Sequence, residues 1–115
     1  MAINSKRKGK DGELELANIL KSKGYDCRRT AQYCGNVEDA ADLVGLDFIH
    51  IECKRVEKLN IDEAMEQARR DAKEKLPAVF HRKNKKPWKV TMGLEDWLKL
   101  YEKYREVMNE RENIK

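Results

Sequence analysis

The sequence predicts an α/β protein: a mixed β-sheet flanked by helices, in the order αβββαββα. Three patterns carry that prediction. Phe48-Ile49-His50-Ile51-Glu52-Cys53-Lys54 alternates as a strand does, with Ile49, Ile51 and Cys53 on one side and Glu52 and Lys54 on the other. Residues 10–23 and 61–75 repeat apolar side chains at the three- and four-residue spacing of amphipathic helices. Between and after them lie short β-type segments bounded by turn-forming residues, so helices and strands interleave.

Each element has a local reason. The first helix, residues 10–23, stops at Gly24, which can take the left-handed conformation of a helix C-cap. Residues 25–29 form a short strand, and residues 30–41, with Gly35-Asn36, form a polar loop long enough to be functional. Residues 42–44 and 47–54 make a strand pair or one bent strand, with Gly45 at the turn. Asn60 followed by Glu63 resembles a capping box, opening a helix over 61–75 whose apolar face is Ile61, Ala64, Met65, Ala68 and Ala72. Residues 76–82 and 88–92 read as a hairpin around Lys83-Asn84-Lys85-Lys86-Pro87. Leu94, Trp97, Leu98, Tyr101, Val107 and Met108 line one side of a final helix, as core or as a dimer surface.

With 115 residues, the chain suits one domain, 1–115, with residues 1–9 as a flexible basic arm. It is 40% charged and only 7% aromatic, yet its apolar periodicity is clear enough to specify a folded, soluble protein. No apolar run approaches the ~20 residues of a membrane span and the N-terminus lacks a signal-peptide core, so no membrane partner is expected and the cytoplasm is the default location. Cys27, Cys34 and Cys53 have no CxxC spacing and their odd number fits reduced thiols. A zinc site from those cysteines and His50 matches no usual spacing.

The charge is unevenly placed. Lys6, Arg7, Lys8 and Lys10 open the chain, Arg28 and Arg29 end the first strand, and Arg82, Lys83, Lys85, Lys86 and Lys89 cluster later. Between them runs the acidic stretch Glu38, Asp39, Asp42 and Asp47. Basic patches around a carboxylate pocket suit a polyanion whose reacting phosphate meets a metal ion. Asp42 and Glu52 can converge on a hard cation with the Lys54 ammonium beside them, the arrangement that metal-assisted phosphodiester cleavage needs. On the first helix, at about 100° per residue, Leu20 lies about 20° from Glu13, Ala17 about 40° and Leu16 about 60°, so Glu13 occupies the middle of the apolar face. Such a carboxylate needs a partner, either a lysine such as Lys54 or a cation. Glu15 falls on the polar side with Asp11, Asn18 and Ser22, as an ordinary surface residue.

These residues resemble the PD-(D/E)xK nuclease superfamily, and within it the archaeal-type Holliday junction resolvases. The likeness lies in Lys8-Gly9-Lys10-Asp11-Gly12-Glu13-Leu14-Glu15-Leu16 ahead of Gly24-Tyr25, in Asp42-Leu43-Val44, and in Ile51-Glu52-Cys53-Lys54. It implies a restriction-endonuclease-like fold and a metal-dependent DNA endonuclease of DNA recombination, selective for branched DNA and acting as a homodimer. A phage or mobile-element nuclease acting on flaps, ends or duplex is the alternative, as is an inactive DNA-binding module. In the implied site, Asp42, Glu52 and the backbone carbonyl of Cys53 hold Mg²⁺ or Mn²⁺, Glu13 holds a metal-bound water or second ion, and Lys54 orients the attacking water. No organic cofactor is implied. DNA contacts are expected from Lys6, Arg7, Lys8, Lys10, Arg28, Arg29, Arg82, Lys83, Lys85 and Lys86. His50 and Trp88 read mainly as packing residues, and Gln67 is similar to a glutamine of recombination exonucleases, although Asp71 stands where those have tyrosine.

Overall fold

The computed structural model describes residues 5–30 and 41–114, with side chains over 9–30 and 41–113. Cys34, Glu38, Asp39 and most of the polar loop lie outside the described residues, as do the side chains of Lys6, Arg7 and Lys8. Helix α1 runs Ser5–Ser22, strand β1 Arg28–Arg29, β2 Leu43–Val44, β3 Ile49–Arg55, helix α2 Ile61–Ala72, β4 Leu76–Arg82, β5 Lys89–Thr91 and helix α3 Leu94–Ile114. The order is the predicted αβββαββα. The five strands form one sheet in chain order, antiparallel except for β3 and β4, which run parallel from Ile49↔Leu76 to Arg55↔Arg82 with α2 as the crossover.

The backbone of α1 is helical from Ser5, earlier than the apolar pattern alone predicts, so the basic residues 6–8 belong to a helix rather than to a separate arm. It ends as foreseen: Tyr25 N–H donates to the Leu20 carbonyl (3.1 Å) and Gly24 N–H to Lys21 (3.0 Å), with Gly24 at φ 100°, a Schellman cap. At α2, the Asn60 side chain accepts from Glu63 N–H at 3.2 Å, satisfying one of the donors that a helix start leaves open. Gly45 turns between β2 and β3 at φ 126°, where a Cβ would collide with the backbone of Asp26 and Cys27.

The alternation of β3 sorts the molecule into two layers. Ile51 and Cys53 face α1 and pack with Leu16, Ala17, Leu43 and Phe80. The other face of the sheet meets α2 through Val79 against Ala64, Met65 and Ala68. A Cβ on Gly12 would lie 2.9 Å from Arg55 Cβ, so α1 crosses the end of β3 at a distance only glycine permits. The stripe on α3 is not core: Leu94, Trp97, Tyr101 and Val107 are each at least 45% exposed, with Trp97 and Tyr101 stacked on one another at 5.4 Å. Among the described residues no helix is long and apolar enough to cross a membrane.

Candidate active site

Asp42 sits immediately before β2, and three contacts fix it there. Its N–H donates to the Ile51 carbonyl (3.0 Å), its carboxylate accepts from Cys53 N–H (2.8 Å), and the Thr30 hydroxyl, which donates to the Ala41 carbonyl (2.8 Å), ties the preceding residue. Asp42 is thereby clamped against the stretch of β3 that contains Glu52. Burial pushes its carboxyl up, the Cys53 N–H opposes this, and the charges of Glu52 and Glu13 push it further, with Lys54 opposing; the balance lies at about 7. Glu13, Glu52 and Lys54 thus all lie near enough for their charges to act on Asp42.

Glu52 is 1% exposed, on the α2 side of β3. Its Oε1 lies 2.8 Å from Nε2 of His50, itself 1% exposed, while Oε2 has no hydrogen-bond partner. A carboxylate oxygen shut away from water without a partner is costly. Lys54 Nζ, on the same side, donates to Gln67 Oε1 of α2 at 3.4 Å. Cys53 points the other way, into the α1 core, where burial and the nearby Asp42 push its thiol up to about 12. It is therefore a neutral core thiol, and Cys27 is likewise buried and free.

Glu13 does not meet Lys54. Its carboxylate accepts a charge-assisted hydrogen bond from Arg29 Nε at 2.7 Å, so β1 supplies the cation that the half-buried glutamate requires. Among the described residues, a group of donor atoms that lie within 4.8 Å of one another belongs to His50, Glu52 and Asp71. Sequence reasoning gave His50 a packing role and saw Asp71 only as a departure. The signal was present, since His50 shares the strand side of Glu52 and Asp71 follows Gln67 by one helical turn.

Glu15 is not the ordinary surface glutamate of the sequence reading. It reaches Arg82 Nε (2.7 Å), Arg55 (3.7 Å) and the Trp88 indole N–H (2.8 Å), because the β4–β5 hairpin folds over α1. The hydrogen bonds from Arg82 and Trp88, reinforced by the two guanidinium charges, hold its carboxyl below the usual range despite burial, which pushes the other way. Arg82 and Arg29 therefore carry internal carboxylate partners, Arg28 lies 3.8 Å from Asp26, and Lys10, Lys83, Lys85 and Lys86 are exposed. Lys83, Lys86 and Lys89 line, with Lys58, Arg82 and His81, a cleft of about 470 Å³ beside the end of β3. His81 bonds Thr91 across the hairpin at 2.8 Å.

A divalent cation fits this donor set. Asp42 is half-buried among like charges, Glu52 has an unpartnered oxygen, and Lys54 is a cation that acts on Asp42. A family model described as "Phage putative PDDEXK endonuclease" matches residues 4–115. No curated protein and no solved structure matches the chain.

Proposed function

Because the chain belongs to the phage PDDEXK endonuclease family, and is thereby a nuclease of PD-(D/E)xK type, we propose that it hydrolyses DNA phosphodiester bonds with Mg²⁺ or Mn²⁺ at Asp42 and Glu52. The observation that carries this reading is the clamped, half-buried Asp42 beside a buried Glu52 with an unused oxygen. Asp42, Glu52 and the Cys53 backbone carbonyl are the proposed ligands, with Glu13 behind them. When bound, the ion supplies Lewis acidity at the scissile phosphate and lowers the pKa of water.

The chain's own groups do the rest. Gln67 holds the Lys54 ammonium on the Glu52 side of the sheet, where it orients the attacking water and offsets charge that builds on phosphorus. The Arg29 guanidinium keeps Glu13 anchored in its place on α1. Water, giving up a proton to solvent, forms the new bond to phosphorus in line with the 3′ oxygen, whose bond breaks and which takes a proton from solvent. The ends are a 5′-phosphate and a 3′-hydroxyl, with no covalent enzyme intermediate.

Lys10, Arg28, Lys83, Lys85 and Lys86, with Lys6, Arg7 and Lys8 at the start of α1, are the proposed phosphate contacts, and Arg29 and Arg82 adjoin them. Branched DNA and a two-fold dimer belong to this reading, since cutting two symmetric strands calls for two sites, and the exposed α3 stripe offers a pairing face. The family's phage description favours a second reading, cleavage of flaps, ends or plain duplex. Incubation with labelled four-way junction, flap and linear duplex in Mg²⁺ separates these. Preferential paired nicking of the junction supports the first, equal cutting of all three supports the second, and no cutting of any in Mg²⁺ or Mn²⁺ removes the enzymatic reading.

A further inference from the structure

We propose a second divalent-cation site on the α2 side of the sheet, formed by His50, Glu52 and Asp71 and selective for ions that accept imidazole, such as Mn²⁺, Co²⁺ or Zn²⁺, over Mg²⁺. The proposal rests on the metal-dependent reading above only in sharing Glu52. One donor atom from each of the three side chains lies within 4.8 Å of the others. Two of the three are 1% exposed, and both have an atom without a hydrogen-bond partner, Nδ1 on His50 and Oε2 on Glu52. The one hydrogen bond between them uses Nε2 and Oε1, so the pair leaves a buried nitrogen and a buried oxygen that need a further partner.

The backbone explains why these groups meet. His50 and Glu52 are two apart on β3 and so project to one side, and Asp71, in the last turn of α2, brings a carboxylate down onto them as α2 packs over β3 and β4. The donor set has one imidazole and two carboxylates, and a dication balances two ionised carboxylates. Imidazole suits Zn²⁺ and the later first-row ions, and a set of two carboxylates and one imidazole still admits Mn²⁺, whereas Mg²⁺ demands oxygen ligands and keeps its waters. Glu52 has two oxygens and is the residue through which the two sites would touch, so the kind of ion supplied sets how many are bound.

The test is Mn²⁺ binding to the full-length chain, followed by calorimetry and by pulsed EPR, which detects a directly bound imidazole nitrogen. Two Mn²⁺ per chain and a nitrogen coupling are expected, against one Mg²⁺. His50→Gln should abolish the coupling, and Asp71→Asn, a half-buried and milder change, should weaken the second event at least tenfold with circular dichroism unchanged. Asp42→Asn should keep the coupling while losing cleavage. A single Mn²⁺ without nitrogen coupling, or a coupling that survives His50→Gln, overturns the second site. With Mg²⁺-dependent cleavage intact, that failure leaves the nuclease reading standing. A nitrogen coupling in a protein that cuts no DNA would sink the nuclease reading instead.

Discussion

Replacing Asp42 by asparagine should stabilise the metal-free protein, although a change at a clamped, part-buried residue normally destabilises. Burial and the charges of Glu52 and Glu13 raise the Asp42 carboxyl from 3.8 to about 7. Between those values the folded chain holds a proton that the unfolded chain has released. Stability therefore falls as pH rises through that window and levels off above it. Each pKa unit corresponds to about 1.4 kcal/mol, so about three units give roughly 4 kcal/mol at most, and sharing the repulsion with Glu52 and Glu13 brings the expectation to about 2–4 kcal/mol. Asparagine carries no such charge and keeps an oxygen for the Cys53 N–H. Urea unfolding in chelator at pH 4 and pH 8, extrapolated linearly, reads the difference. The two proteins should be nearly equal at pH 4, and the variant should be more stable by about 2–4 kcal/mol at pH 8. Added Mn²⁺ should restore the wild type and help the variant less. A variant less stable than wild type at pH 8, or a difference independent of pH, would show that the Asp42 charge does not destabilise the metal-free fold.

Other residues give independent checks. Gly12→Ala gains about 1 kcal/mol of helix propensity, but its Cβ meets Arg55 Cβ at 2.9 Å, and overpacking of about 1–3 kcal/mol should win; a higher melting temperature would show that α1 can shift. Glu15→Ala strands the Trp88 indole and the Arg82 guanidinium and should lower stability by about 1–3 kcal/mol in thermal unfolding; a neutral result would mean the hairpin does not rest on α1. Lys85→Ala with Lys86→Ala should weaken DNA binding broadly and reduce the salt slope by about 1–2; an unchanged slope in fluorescence anisotropy removes the hairpin from the DNA surface.

The fold was legible in the sequence where local chemistry decides it. Gly24 and Asn60 mark helix ends through bonds that they make with their own neighbours, and the alternation of β3 dictates which side chains share a face. The part that depends on distant packing was not. Helical periodicity placed Glu13 on the buried face of α1, yet its partner Arg29 comes from β1, whose position is set by pairing with β2. The same wheel put Glu15 in solvent because it counts only the sheet side of α1, whereas Arg82 and Trp88 reach it from the β4–β5 hairpin. The stripe on α3 has the spacing of a core face, and periodicity cannot say whether the surface it meets lies in the same chain. At the candidate site, charge on a buried strand is what singles out Glu52 and Lys54, whereas Asp71 needed the α2 crossover to bring it near.

The claim at the centre is that Asp42 and Glu52 together hold the ion that cleavage requires. The most direct measurement is cleavage of labelled DNA in Mg²⁺ by wild type, Asp42→Asn and Glu52→Gln, with DNA binding of each followed in parallel. Wild type should cut, and both variants should bind DNA with near-normal affinity and lose cutting by at least a hundredfold, about 2.7 kcal/mol of transition-state stabilisation. Cleavage by either variant at the wild-type rate would contradict it.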